Sequence, residues 1–310
     1  MLAILKTTPT GLKRLEEFEP GSWIDLVSPT EEELERVSRE LVIPLDLLTG
    51  PLDEEEKSRI DVEDGLTHVI VDIPVLVREE DQLVYDTIPL GMLMHPDYFI
   101  TTCLRPNPIL GEFERGTVRN FATFWKTRFL LQILQRVSAF YLRYLGRIDR
   151  ETDRVERELR ASMKNSEIFD LLSLQKSLVY FTTSLRANEG VLQKLLRTKT
   201  VKMYEEDEDL LEDVIVENKQ ASEMAKIYTD ILTGMMDAFT SVISNNLNRV
   251  MKLLTSLTII LSIPMIVASY YGMNVALPFE NYAHAFTLTL VISFVISIAF
   301  ALVFWRKRYL

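Results

Sequence analysis

The stretch RVMKLLTSLTIILSIPMIVASYYGMN, residues 249–274, contains two basic residues at its start and none after them. From Leu253 to Phe279 no residue is charged, and a second uncharged run extends from Ala283 to Trp305. Each run is long enough to cross a hydrocarbon core of about 30 Å as a helix. Only a short link around Asn274–Tyr282 separates them, which predicts a helical hairpin with both ends on one side of a bilayer. Arg249 and Lys252 precede the first run, and Arg306, Lys307 and Arg308 follow the second. This basic bias places both termini in the cytoplasm and the link outside. Tyr270, Tyr271, Phe279, Tyr282, Trp305 and Tyr309 fit aromatic anchors at the two interfaces. The expected order is a first span over 251–273, an outer loop over 274–282, a second span over 283–305 and a basic tail over 306–310.

Outward from this hairpin the composition changes. The chain has 310 residues, with 34 Lys and Arg against 45 Asp and Glu, a net charge of −11. Residues 249–310 carry five basic residues and one acidic one, so residues 1–248 hold a net −15. A large acidic cytoplasmic part is therefore expected beside a small membrane part. The apolar fraction of 47% excludes a disordered chain. Cys103 stands alone, so no disulfide framework exists. His68, His95 and His284 are far apart, which disfavours a His/Cys metal enzyme. The acidic balance disfavours nucleic acid as a partner. The start, Met1–Lys6, lacks the apolar core of a secretory signal.

The soluble part reads as α/β followed by long helices, with an N-terminal α/β domain over 1–115. Leu2–Lys6 and Trp23–Val27 are short apolar runs. Thr30 and Glu33 form a capping box that starts a helix ending near Leu41. His68–Val77, Leu83–Met94 and Tyr98–Cys103 read as strands, with a polar turn over Arg78–Gln82. Pro74 and Pro89 suggest edge strands or bulges. From about Gly116 the pattern is helical: a hairpin over 116–200 with a break at Asn165-Ser166-Glu167, then a stalk over 204–250. No strong breaker lies between Tyr204 and Pro264, so the stalk is expected to run into the first span, roughly 100 Å from Glu205 to Tyr271.

That last helix carries a stripe at three- and four-residue steps: Asp237, Ser241, Ser244, Asn248, Met251, Leu254, Thr258, Ser262, Met265, Ser269 and Gly272. Small and polar residues on one face of a membrane helix have two readings. They let helices pack closely, or they line a water-filled path in a ring of subunits. The stripe has an order: an acidic position, a polar one, the apolar pair Met251 and Leu254, then hydroxyls. That order suits a cation path with an apolar constriction.

At Tyr271-Gly272-Met273-Asn274 the sequence resembles the CorA family of magnesium transport proteins. Asn248-Arg249-Val250-Met251-Lys252-Leu253-Leu254-Thr255 is similar to that family's entry to its first span. Trp23-Ile24-Asp25-Leu26 with Pro29-Thr30 is similar to its N-terminal domain, so the resemblance covers essentially the whole chain. It implies a funnel-shaped homopentamer in the cell membrane, with an α/β cytoplasmic domain, a long stalk helix and two C-terminal transmembrane helices. It implies entry of Mg²⁺, with Co²⁺ and Ni²⁺ as further cargo, driven by membrane potential. Its filter would be Tyr271, Gly272, Met273 and Asn274.

Mg²⁺ dehydrates reluctantly, so a ring of Asn274 amides and Gly272 carbonyls would suit the hydrated ion. Gly272 also suits a backbone turn that a Cβ would resist. The alternative is an ordinary helix C-terminus with Gly and Asn as stop signals. Asn248, Met251 and Leu254 are the candidate gate. Thr258, Ser262, Met265 and Ser269 line the path above it, and Asp237 forms a cytoplasmic acidic ring. The loop departs from the family pattern in Leu277-Pro278-Phe279-Glu280, where Glu280 stands at the mouth. The resemblance also implies closure by cytoplasmic Mg²⁺ bound between subunits. Asp213 matches one such carboxylate, and Asp46 or Asp53 stands near the place of the missing acidic partner. No organic cofactor and no other protein partner is implied.

Two other readings remain open. A Zn²⁺ or other transition-metal transporter on the same scaffold is disfavoured by Met273 and by a stripe without His or Cys. A non-conducting membrane-anchored metal sensor would leave the polar stripe without a purpose. An enzyme is disfavoured, because no nucleophile–base pair or phosphate-cradling loop is visible.

Overall fold

The computed structural model describes residues 1–63, 65–79, 82–162, 165–198, 201–274, 284–307 and 309. It divides into two compact units, Met1–Thr233 and Gly234–Leu310.

The first unit is built on a seven-stranded sheet. Its strands are β1 (Leu2–Thr8), β2 (Gly11–Leu15), β3 (Trp23–Val27), β4 (Arg59–Glu63), β5 (Leu66–Glu79), β6 (Gln82–Met94) and β7 (Phe99–Cys103). Their spatial order is β2-β1-β3-β7-β6-β5-β4. The β3–β7 pair is parallel and every other pair is antiparallel. Strand alternation sends successive side chains to opposite faces. Ile24, Leu26 and Ile100 meet Leu34, Val37 and Leu41 of α1 (Glu31–Leu41) and Leu48 of α2 (Leu45–Thr49) on one face. Trp23 and Phe99, on the other face, meet an aromatic cluster of Phe113, Phe121 and Phe129. Phe113 lies on α3 (Pro108–Glu114) and Phe129 on α4 (Lys126–Ser162), which pairs with α5 (Asn165–Thr198). The result is a sheet between two helical layers.

Helix α1 begins as its capping box dictates. Thr30 Oγ1 accepts from Glu33 N at 3.3 Å, and Glu33 Oε2 accepts from Thr30 N at 3.0 Å. The helix stops at Val42, which takes a left-handed conformation with φ 57°.

Several elements differ from the sequence reading, which also left out α2 and β4. Strand β2 has no apolar alternation, and it follows from pairing with β1. Helix α3 is capped by Asn107, whose side chain accepts from Leu110 N at 2.9 Å, with Pro108 at its first position. The helical part begins at Lys126 and not near Gly116. Gly116 and Asn120 have φ of 67° and 53°, which breaks any helix there, and the loop instead buries Val118 and Ala122.

Pro74 and Pro89 lie in interior strands rather than edge strands, for a local reason. Strand β4 pairs β5 only over Leu66–Ile70, and β7 pairs β6 only over Leu90–Met94. Beyond those points β5 and β6 continue as a two-stranded arm. Asp72 is paired with Pro89, yet its N–H and C=O bond the Asn188 side chain, so both point away from β6. In an antiparallel ladder the opposite residue then also points outward, and Pro89 has no donor to lose. Pro74, two residues along, shares the orientation of Asp72.

Helix α6 spans Glu205–Tyr271 without a break and contains Pro264. Asp207 caps its start, accepting from Tyr204 N at 3.2 Å. Helix α7 spans Ala285–Arg306. Both helices are long and apolar enough to cross a membrane.

Candidate ion pathway and cation sites

Within the second unit the sequence of α6 decides which face meets α7. Small residues let membrane helices approach closely, and the buried residues here are Ser256 on α6 with Ser293 and Ser297 on α7. Ile260, Ile263 and Val267 are half-buried on the same side of α6 as Ser256. At 3.6 residues per turn, that side lies about 150° to 170° round the helix from Thr258, Met265 and Ser269. The polar stripe is therefore not the surface that packs against α7. Asp237, Ser241, Ser244, Asn248, Met251, Leu254, Thr258, Met265, Ser269 and Gly272 are all exposed, and Ser262 is half-exposed. Met265 is 73% exposed.

The hydroxyls on the stripe are oriented. Ser241 Oγ donates to Asp237 O at 2.9 Å, Thr258 Oγ1 to Leu254 O at 2.8 Å, and Ser262 Oγ to Thr258 O at 2.8 Å. These three hydroxyls have spent their protons on their own helix. Their oxygen lone pairs remain, so the stripe presents acceptors, which suit water around a cation.

At one end of the hairpin the Lys252 ammonium stands 5.6 Å from the centre of the Tyr309 ring. This joins the start of the apolar part of α6 to the residues after α7, as an antiparallel hairpin requires. Arg306 ends α7, and Lys307 N donates to Val303 O at 3.0 Å. Arg308 lies outside the described residues, as does Glu280 with the rest of 275–283.

At the other end, Tyr271 closes α6, and Gly272, Met273 and Asn274 follow it, all exposed. Gly272 N still donates to Ala268 O at 3.0 Å, and Met273 N to Tyr270 O at 3.2 Å. The expectation that Gly272 makes a turn forbidden to a Cβ does not hold. Its φ is not positive, and a Cβ there would stand 3.4 Å from Ala268 O, an ordinary contact.

The carboxylates expected to hold a regulatory ion are placed separately. Asp213 is exposed on α6, Asp46 is exposed in α2, and Asp53 is exposed beyond the turn Gly50–Leu52. Asp53 Oδ1 already accepts from Glu55 N at 3.0 Å. Among the described residues of one chain, no three His, Cys, Asp or Glu side chains form a metal site. The sequence reading missed Glu217, one turn beyond Asp213. Burial, and then the charge of Asp213, push its carboxyl above the usual range, while Arg136 opposes them.

A sheet domain, a 67-residue helix and a second apolar helix define a protein with a large α/β unit and two C-terminal helices long and apolar enough to cross a membrane. Residues 19–308 match the profile of the CorA-like Mg²⁺ transporter proteins, and the chain belongs to that family. It is 31% identical over 293 residues to the cobalt/magnesium transport protein CorA of Methanocaldococcus jannaschii, across 93% of this chain and 91% of that one. The complete structure of the CorA magnesium transporter from the same organism superposes with a TM-score of 0.87 at 28% identity, covering 100% of this chain and 99% of that one. The full-length CmaX protein shares the fold, with a TM-score of 0.71 at 19% identity over 99% of this chain and 97% of that one.

Proposed function

We propose that this chain forms a homopentameric channel for Mg²⁺, with Co²⁺ and Ni²⁺ as further cargo. The observation that carries this reading is the exposed acceptor stripe on the side of α6 away from α7. A polar membrane face left uncovered by its own chain requires other copies around it, and a ring of copies turns it into a path. Family membership supports the cargo.

In this reading Asn274 and the Gly272 carbonyl hold the hydrated ion by hydrogen bonds from and to its water. The ring of Met251 and Leu254 is the dry constriction, with Asn248 below it and Thr258, Ser262, Met265 and Ser269 above. A divalent ion entering down 100 mV gains roughly 4.6 kcal/mol, so no nucleotide is needed. Asp237 and Glu280 concentrate cations at the two mouths through their local field. Both termini, including the Arg306–Arg308 tail, are cytoplasmic. Closure by cytoplasmic Mg²⁺ is assigned to Asp213, with carboxylates from a neighbouring copy completing the site. The exposure of Asp213 on α6, which leaves its carboxylate open to a neighbouring copy, supports that assignment.

The test is Mg²⁺ influx into dye-loaded proteoliposomes at an inside-negative potential. Wild type should conduct, and Asn274→Ala, with its oligomer intact by native mass spectrometry, should lose influx. An intact wild-type oligomer without influx would overturn the channel reading.

A further inference from the structure

We propose that the cleft between the start of α4 and the start of α6 binds a nucleoside polyphosphate in complex with a divalent cation. The cleft measures about 840 Å³, toward the upper end of the range of about 300–1,000 Å³ for ligand sites. All of its lining residues belong to the first unit. Its walls carry three aromatic rings that the chain leaves uncovered. Phe124 and Trp125 stand just before α4 and Tyr204 just before α6, and they are 52%, 51% and 70% exposed. Aromatic rings carry a large apolar area and are usually well buried. Three left open in one concavity mark a surface that receives something flat and apolar.

The charges beside the rings decide what that is. Lys126, Arg128 and Lys202 line the cleft against Glu205, Glu206 and Asp207. Most of these are already engaged. Lys126 Nζ donates to His95 O at 2.7 Å, Arg128 Nη1 stands 3.1 Å from Glu206 Oε2, and Asp207 Oδ2 accepts from Tyr204 N at 3.2 Å. Lys202 and Glu205 are both exposed, and neither forms an ion pair among the described residues. The Lys202 ammonium stands 6.0 Å from the centre of the Tyr204 ring, so a cation and an open ring lie side by side. An anion alone would meet Glu205, a cation alone would meet Lys202, and a neutral ring would use neither. A base with its phosphates and their metal answers all three: the base on the rings, a phosphate at Lys202 and the metal at Glu205. Mg²⁺ is commonly held in this way, by one or two carboxylates together with phosphate oxygens and its own water. Among the described residues no three His, Cys, Asp or Glu side chains form a metal site, so the phosphates bring the ion with them. An aromatic amino acid also carries both charges, but it leaves most of a cleft of this size unfilled. The site uses no residue of the second unit, so it stands whether or not the chain conducts.

The test is equilibrium dialysis of the full-length protein in detergent against radiolabelled ATP with excess Mg²⁺. Wild type should bind, and Trp125→Ala should weaken binding roughly tenfold, or about 1.4 kcal/mol, within the range for a base stacked on an aromatic side chain. Lys202→Glu changes an exposed side chain and should give a similar loss if the first variant fails to fold. With EDTA in place of Mg²⁺ the wild type should bind roughly tenfold more weakly, and Glu205→Gln should remove that difference. Irradiation with azido-ATP and peptide mass spectrometry should place adducts in 124–128 and 202–207. Adducts confined to other segments would overturn the proposal. So would adenosine, phenylalanine or tripolyphosphate competing as well as ATP, because each lacks one part of the ligand. Equal binding by wild type with Mg²⁺ and with EDTA would also overturn it, since the metal would then have no place in the site.

Discussion

Asp25 and His68 are both buried, and their titrations oppose each other. Burial pushes the Asp25 carboxyl up from 3.8 to about 7, partly offset by Thr101, whose hydroxyl donates to Asp25 Oδ1 at 2.6 Å. Burial, and then Arg59, pull His68 down from 6.5 to about 4, and its Nδ1 has no partner. Between roughly pH 4 and 6.5 the folded state holds its proton on Asp25 and the unfolded state holds one on His68. The counts match, so the two groups together contribute almost no pH dependence in that window. Asp25 alone gives stability that is full below pH 3.8 and lost as pH rises to about 7. His68 alone gives stability that is present above pH 6.5 and lost as pH falls to about 4. Asp25→Asn should therefore unmask a stability that rises by up to about 1.4 kcal/mol per pH unit, and His68→Leu one that falls by a similar amount. Urea unfolding of the full chain, followed by tryptophan fluorescence at several pH values, measures both slopes. Parallel slopes in the two variants would refute this pairing. The sequence showed where these residues lie in strands, but burial on a given face depends on the layers above it. Gly272 teaches the same lesson: its place in the motif was legible, and its backbone conformation was not.

At the scale of elements, local chemistry was legible and distant chemistry was not. The Thr30–Glu33 box, the run of α6 from Glu205 and the stripe's periodicity all follow from spacings of three or four residues. The Asn107-Pro108 pair carried the start of α3 just as locally, as an N-cap followed by proline. Nothing local announces Asn188. It is 116 residues from Asp72, yet it accepts from Asp72 N at 2.9 Å and donates to Asp72 O at 2.8 Å. It also accepts from Ser58 Oγ at 3.1 Å, and Tyr141 donates its hydroxyl to the same Asp72 carbonyl at 3.0 Å. One side-chain amide of α5 thus stands in for a strand where β4 has ended. Asn188→Leu should cost about 2–3 kcal/mol, because it leaves the Asp72 N–H buried without a partner. Tyr141→Phe should cost about 1 kcal/mol, since Asn188 still serves the carbonyl. Equal losses in urea unfolding would contradict this ranking.

For the whole molecule, the division between an acidic 1–248 and a basic remainder was legible by counting charges, and the proposed orientation rests on the basic flanks of that remainder. The prediction is direct. Glu280→Cys should react with a membrane-impermeant maleimide added outside intact cells, and Lys307→Cys should react only after permeabilisation. The native Cys103 is fully buried and its thiol is pushed up to about 11 by burial, so it adds little background. Outside labelling at Lys307→Cys but not at Glu280→Cys would reverse the hairpin, and outside labelling at both would rule out a loop and tail on opposite sides. The arm formed by β5 and β6 has its own consequence for a chain made in many copies. Open strand edges are templates on which other chains add strands and precipitate. Pro74 and Pro89 withhold donors from the two outer edges of the arm, and Asn188 occupies the groups of Asp72 between them. Newly made copies are thereby kept from fusing along their sheets.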